Sequence, residues 1–159
     1  MGAGDLTHLN QKGEAHMVDV GQKASTRRTA TASAKLSGSP EAMSALFQGT
    51  GKKGDALAVA RVAGIMAAKK TADLVPLCHP LALSKVSIDI VPIDNDIAHI
   101  EAHVETTGQT GVEMEAMTAA SVTALTLYDM LKSIDKALVI SELRLESKTG
   151  GKSGTFRRQ

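Results

Sequence analysis

The sequence predicts an α+β domain, with helices packed on one face of an antiparallel sheet. Three observations predict it. Two runs of alternating apolar and polar residues flank the short turn Asp94-Asn95-Asp96, the pattern of a β-hairpin. A long stretch at 111–133 is almost entirely Ala, Val, Leu, Met and Thr, with charge only at its tips. The segments as a whole follow the order β-α-α-β-β-α-β, without internal repeats.

Residues 1–15 are polar and glycine-containing and read as a flexible N-terminal arm, leaving 16–159 as a single α+β domain. From Thr29 to Leu36, Ala30, Ala32, Ala34 and Leu36 alternate with Thr29, Thr31, Ser33 and Lys35, a half-buried strand despite alanine's poor strand preference. Ser39-Pro40-Glu41 supplies an N-cap, a proline at the first helical position and an early acid, so a short helix begins there and stops at Gly49. The basic loop GTGKKG occupies 49–54. Asp55 then caps a helix over 56–70 that ends in Lys69-Lys70, where cations suit the terminal carbonyls.

Pro76 and Pro80 each remove a backbone donor, so LVPLCHPL at 74–81 is not regular helix. In the strands that follow, Val86, Ile88 and Ile90 face inward, as do Ala98, Ile100, Ala102 and Val104. His99, Glu101, His103 and Glu105 face outward. The helix 111–133, a strand near 138–146 and the tail KTGGKSGTFRRQ complete the chain.

Composition narrows the function. Apolar residues make up 43% of the 159 residues but aromatics only 2%, with seven Met and no Trp. The core must therefore use small and branched aliphatics, which suits closely packed helices or burial between subunits. A net charge of +1 provides no global field for nucleic acid, and the aromatic platform of single-strand binders is missing. One Cys excludes an intrachain disulfide and fits a reducing compartment. No apolar run reaches membrane-spanning length, and the N-terminus lacks the basic and apolar regions of a signal peptide. A cytoplasmic protein without membrane or nucleic-acid partners is expected.

The candidate functional residues each have a plain structural reading beside the chemical one. The tail GGKSG is not a P-loop, because Glu146 stands where the first glycine belongs and no helix follows. Lys52, Lys53, Lys148 and Lys152 nevertheless lie in glycine-rich loops whose amides and ammonium groups suit phosphates. Cys78-His79 lacks a partner pair with ligand spacing, so no metal is expected. His79, held between prolines, is placed for hydrogen bonding or proton transfer. His99 and His103 read as members of a solvated strand face. Asp129 and Lys132 are helix neighbours at i,i+3 and form at least an ion pair. Glu113 and Glu115 serve at least as first-turn acids.

Taken together, these blocks resemble the cyclic pyranopterin monophosphate synthase family, known as molybdenum cofactor biosynthesis protein C. The resemblance runs from HMVDVGQKA at 16–24, through KKGD at 52–55, LVPLCHPL at 74–81 and TGVEMEAMTAASVTALTLYDMLK at 110–132, to SKTGGKSG at 147–154. It implies a ferredoxin-like α+β fold, a homohexamer built as a trimer of dimers, and conversion of a cyclised dihydro-GTP to cyclic pyranopterin monophosphate with release of diphosphate. It implies no cofactor. Position by position, Asp129, Lys132 and Lys53 match the family's catalytic groups. Leu77, Cys78 and His79 match a substrate-contacting segment, and Met114 with Glu115, beside Glu113, matches another. Arg28 and Lys148 fall where further basic groups stand near the phosphates. The non-catalytic alternative is a small α+β module whose lysines merely sense a nucleotide. Glu115 and Asp129 are roughly 21 Å apart along a straight helix, so the resemblance also implies sites shared between subunits.

Overall fold

The computed structural model describes residues 7–159. The elements run β1 (Thr26–Ser37), α1 (Pro40–Gln48), α2 (Ala56–Lys69), α3 (Thr71–Leu74), β2 (Leu83–Asp94), β3 (Ile97–Gly108), α4 (Glu113–Leu131), β4 (Val139–Thr149) and β5 (Phe156–Arg157). All pairings are antiparallel, in the order β2-β3-β1-β4-β5. Helices α2 and α4 cover one face of this sheet, the ferredoxin-like α+β arrangement that the sequence implied.

The local signals act as their chemistry requires. The Ser39 hydroxyl accepts a hydrogen bond from the Ala42 amide at 3.2 Å, and α1 ends on Gly49 at φ 68°, a left-handed position that favours glycine. The Asp55 carboxylate accepts from the Ala58 amide at 3.0 Å and starts α2. In β1, Ala30, Ala32, Ala34 and Leu36 are buried, and so are Ala98, Ile100, Ala102 and Val104 in β3. With Cβ atoms alternating across the pleat, both strands turn these residues toward α4.

Small side chains let the layers approach closely. A Cβ added at Gly64 in α2 would collide with Thr123 Oγ1 and Ile88 Cδ1, and would lie 3.1 Å from the Ala119 carbonyl of α4. Helix α4 buries one continuous stripe along its length, through Ala116, Ala119, Ala120, Thr123, Ala124 and Leu127. It runs unbroken from Glu113 to Leu131.

The structure departs from the sequence reading at four places. Strand β1 starts at Thr26 rather than Thr29, because it pairs with β3 from Thr26↔Gly108 onward. Strand β4 extends to Thr149, where Thr29 pairs with it. The tail contributes a fifth strand, with Ser147↔Arg157 and Lys148↔Phe156 in register and the Arg158 amide donating to the Glu146 carbonyl at 2.8 Å. The turn of helix α3 also precedes the proline segment, where the sequence showed only the end of α2.

Within the expected arm, residues 1–6 lie outside the described residues. Residues 7–15 form a turn closed by a Leu9↔Ala15 bridge, and Asn10 Oδ1 accepts from the amides of Lys12 and Glu14 at 2.9 and 3.0 Å.

The opposite sheet face is polar and internally paired. His103 bonds Thr31 Oγ1 at 2.9 Å and Glu105 at 3.1 Å, and Arg27 donates to Glu105 at 2.6 Å. These bonds, from Arg27 first and then His103, lower the Glu105 pKa to about 2. No helix among the described residues is long and apolar enough to cross a membrane.

Candidate active site

The residues singled out from the sequence fall into two groups, one at each end of α4. At the C-terminal end, Lys132 Nζ stands 2.7 Å from Asp129 Oδ1. Lys53 Nζ reaches across from the loop before α2, 2.9 Å from Asp129 Oδ2 and 2.9 Å from the Asp129 carbonyl. The loop is placed by its neighbour, since Asp55 begins α2 and α2 packs along α4. Lys53 therefore satisfies one of the carbonyls that a helix C-terminus leaves free.

Hydrogen bonds from Lys132 and then Lys53 hold the Asp129 carboxyl at a pKa of about 2. The same bond to Asp129 raises the Lys132 pKa. The cluster is exposed: the Asp129 side chain keeps 55% of its accessible surface.

At the N-terminal end of α4 lies a cavity of about 470 Å³. Arg28, Leu77, Cys78, His79, Glu113, Met114, Glu115 and Lys148 all line it, and these are the eight substrate-contact residues expected from the sequence. Lys53, Asp129 and Lys132 do not line it.

Each wall has a local cause. The segment after α3 turns with the Cys78 amide donating to the Val75 carbonyl at 3.1 Å, which sets Leu77, Cys78 and His79 against the cavity. Arg28 leaves β1 and donates from Nε to the Gly108 carbonyl at 2.9 Å and from Nη2 to the Gln109 carbonyl at 3.1 Å. Lys148 extends from β4 to Glu113 at 2.7 Å and to Ser153 Oγ at 3.2 Å.

Glu115 is the buried ionisable group of this site, 4% exposed. Burial pushes its carboxyl up to about 7; its own backbone amide opposes the shift and the charge of Glu113 adds to it. Burial, and secondarily the charge of Glu115, raises the Cys78 thiol as well, so Cys78 is a poor nucleophile here. A carboxyl that titrates near neutrality can accept or release a proton during a reaction. Arg28 and Lys148 place two basic side chains on the cavity wall.

Sequence reasoning missed Thr7, His8 and Lys23, which also line the cavity. Thr7 and His8 lie in the arm that read as loose, and no pattern there marks them. Lys23 lies inside the block GQKA that contributed to the family resemblance, so the signal was present but was not assigned a role. Among the described residues no group of three or more His, Cys, Asp or Glu could hold a metal ion.

The model of the MoaC family matches residues 17–151. A relative from Thermomicrobium roseum named cyclic pyranopterin monophosphate synthase is 54% identical over 156 residues, covering 98% of this chain and 94% of its own length. A relative of the same name from Dinoroseobacter shibae is 57% identical over 153 residues, covering 95% and 96%. A third, from Parvibaculum lavamentivorans, is 53% identical over 158 residues, covering 99% of both. The chain belongs to the MoaC family.

Proposed function

We infer that this chain is a cyclic pyranopterin monophosphate synthase, a lyase of molybdenum cofactor biosynthesis that converts cyclised dihydro-GTP to cyclic pyranopterin monophosphate and diphosphate. The observation that carries the inference is identity of 53–57% to synthases over nearly the whole chain. The grouping of the expected residues into a cavity and a lysine–aspartate cluster supports it. One catalytic domain spans 16–159, and the cytoplasm is its compartment.

In this reading Arg28, Lys148 and His79 hold the phosphates, and Glu115 handles a proton as the purine ring opens and recloses. Asp129 orients Lys53 and Lys132. The raised Lys132 pKa means that it enters the reaction as an ammonium, fit to donate a proton or to neutralise developing charge. In-line placement of a sugar hydroxyl against the phosphorus and its leaving group supplies much of the rest.

The active unit is a dimer within a homohexamer, a trimer of dimers. Helix α4 is continuous, so one subunit holds Glu115 and Asp129 roughly 21 Å apart. A two-fold axis beside α4 brings opposite ends of paired helices together and creates two equivalent sites. Val59, Val62, Met66 and Leu125 are exposed on α2 and α4, which supports an apolar contact between copies there. The test of the function is direct: supply the cyclised intermediate and follow diphosphate and the cyclic phosphate product. Binding without release of either returns the chain to the non-catalytic alternative.

A further inference from the structure

The two lysines that share Asp129 are mounted differently. Lys53 stands in the glycine-rich loop 49–54, which the Gly54 amide closes on the Gly51 carbonyl at 3.2 Å. Lys132 stands one residue beyond Leu131, the last residue of α4. A helix end leaves its final carbonyls free and frays unless something holds it. The ion pair with Asp129 is a weak restraint, because its side chains keep 51% and 55% of their accessible surface and are screened by solvent. The placement of Lys132 must therefore come from its backbone.

The turn after α4 supplies that restraint. The Lys132 amide donates to the Tyr128 carbonyl at 2.9 Å, and the amides of Ile134 and Asp135 donate to the Leu131 carbonyl at 2.8 and 3.1 Å. From the last turn of the helix the Tyr128 hydroxyl reaches over this backbone and donates to the Lys136 carbonyl at 3.0 Å. Asp135 fastens the far side. Its Oδ1 accepts from the Ala137 amide at 2.8 Å and its Oδ2 from the Ser39 amide at 2.7 Å. Ser39 caps α1, so the turn is tied to the junction of β1 and α1. That junction fits closely: a Cβ at Gly38 would collide with Leu138 Cδ2 and lie 3.1 Å from Asp135 Oδ2.

We propose that Tyr128 and Asp135 are positioning residues, a clasp that sets where Lys132 delivers its ammonium group. The proposal rests on the synthase reading and adds two residues to it. Both act through the backbone of 132–137 rather than by touching substrate. The lysine stem is flexible, so the direction in which it leaves the backbone decides where its charge is found most often. A displacement of about 1 Å at a reacting centre can cost up to about a hundredfold in rate. Loosening the clasp therefore slows conversion of bound substrate. The cavity at the other end of α4 is untouched by it, so binding is preserved.

The experiment pairs steady-state kinetics on the cyclised intermediate with amide hydrogen exchange of the full chain. Tyr128→Phe keeps the ring that packs against the core and removes only the hydroxyl. It is expected to lower kcat by about threefold to tenfold, the loss of one hydrogen bond, with KM within about twofold of the wild type. Exchange at the Ile134 and Asp135 amides should quicken. Asp135→Ala should lower kcat by about tenfold or more, and Asp135→Asn, which keeps one carbonyl acceptor, should recover most of the loss. Ser121→Ala removes a hydroxyl bonded to the Met117 carbonyl at 2.7 Å in the middle of α4, and it should leave kcat and exchange at the turn unchanged. A Tyr128→Phe protein with wild-type kcat would overturn the clasp, whether or not its turn exchanges faster. So would an equal fall in kcat from Ser121→Ala, which would reduce Tyr128 to general support of the helix. A wild type that converts nothing overturns the synthase reading alone; faster exchange at 134 and 135 in Tyr128→Phe would still support the clasp, and unchanged exchange would overturn it.

Discussion

At its N-terminal end α4 buries Glu115 against a cavity, whereas at its C-terminal end it exposes Asp129 between two lysines. Both are carboxylates on one helix, and their ordinary pKa values lie less than one unit apart. Their surroundings separate them, to about 7 for Glu115 and about 2 for Asp129. Burial does the first by penalising the charged form, and ammonium neighbours do the second by favouring it. One end of α4 thus carries a group that can exchange a proton near neutrality. The other carries a fixed charge that positions cations. A carboxyl that titrates near neutrality and a carboxylate held charged are thus set by two environments of a single element.

The sharpest way to break this contrast is to remove the cations. Lys53→Ala and Lys132→Ala should each abolish product formation, a loss of at least about a hundredfold. Both should leave a folded oligomer, because neither side chain fills the core. Assay of purified variants with the cyclised intermediate, with circular dichroism as the folding control, decides it; near wild-type turnover in either would remove that lysine from the reaction.

The next test asks whether the two ends cooperate across subunits. Glu115→Ala and Lys132→Ala subunits, each inactive alone, should regain activity when refolded together. Random pairing gives one intact site in half of the dimers, so recovery should reach about a quarter of wild-type activity. No recovery in verified mixed oligomers would confine each site to one subunit.

The acid end can be probed through stability. The Glu115 carboxyl is raised in the folded state from 4.5 to about 7, so the native protein holds a proton that the unfolded chain releases. Its stabilising contribution is intact below pH 4.5 and is lost as pH rises to about 7. Glu115→Gln should remove this pH dependence and stabilise the protein at pH 8 by about 2 kcal/mol, measured by denaturant unfolding across that range. Asp129→Asn should leave the melting temperature within error at pH 7, since its partners are exposed and screened. The smallest effect concerns salt: triphosphate binding should weaken steadily as ionic strength rises, because local cations rather than the net charge of +1 provide the attraction. An affinity indifferent to salt would demote the basic loops to connectors.

Much of the fold was legible because it rests on local chemistry. The Ser39 and Asp55 caps, the stop at Gly49 and the alternation in β1 and β3 are set by neighbouring residues, and each appears where expected. Strand β5 was not legible, because FRRQ lacks a two-residue period. It is held by backbone pairing to β4 and by Arg158 Nε donating to the Leu145 carbonyl at 3.0 Å, contacts between residues distant in pattern. The extension of β1 to Thr26 has the same origin, since its partner strand decides how far it pairs.

In the site, the Asp129/Lys132 spacing already implied contact. The approach of Lys53 did not follow from spacing, because it depends on α2 lying against α4 through Gly64. The raised Glu115 pKa was equally hidden: a first-turn glutamate is ordinarily exposed, and only tertiary burial makes this one titrate near neutrality.

The unbroken course of α4 also limits how this chain can vary. Each residue added to a helix lengthens it by about 1.5 Å and turns everything beyond by about 100°. A single insertion between Glu115 and Asp129 would swing the lysine-bearing end onto a different side of the helix. Only changes of about seven residues, two full turns, return it close to its original phase, and they would then misplace it by about 10 Å. Point substitutions along the middle of α4 can be absorbed by repacking. A change in its length cannot, and the residues between the two ends act as a vernier whose count matters more than their identity.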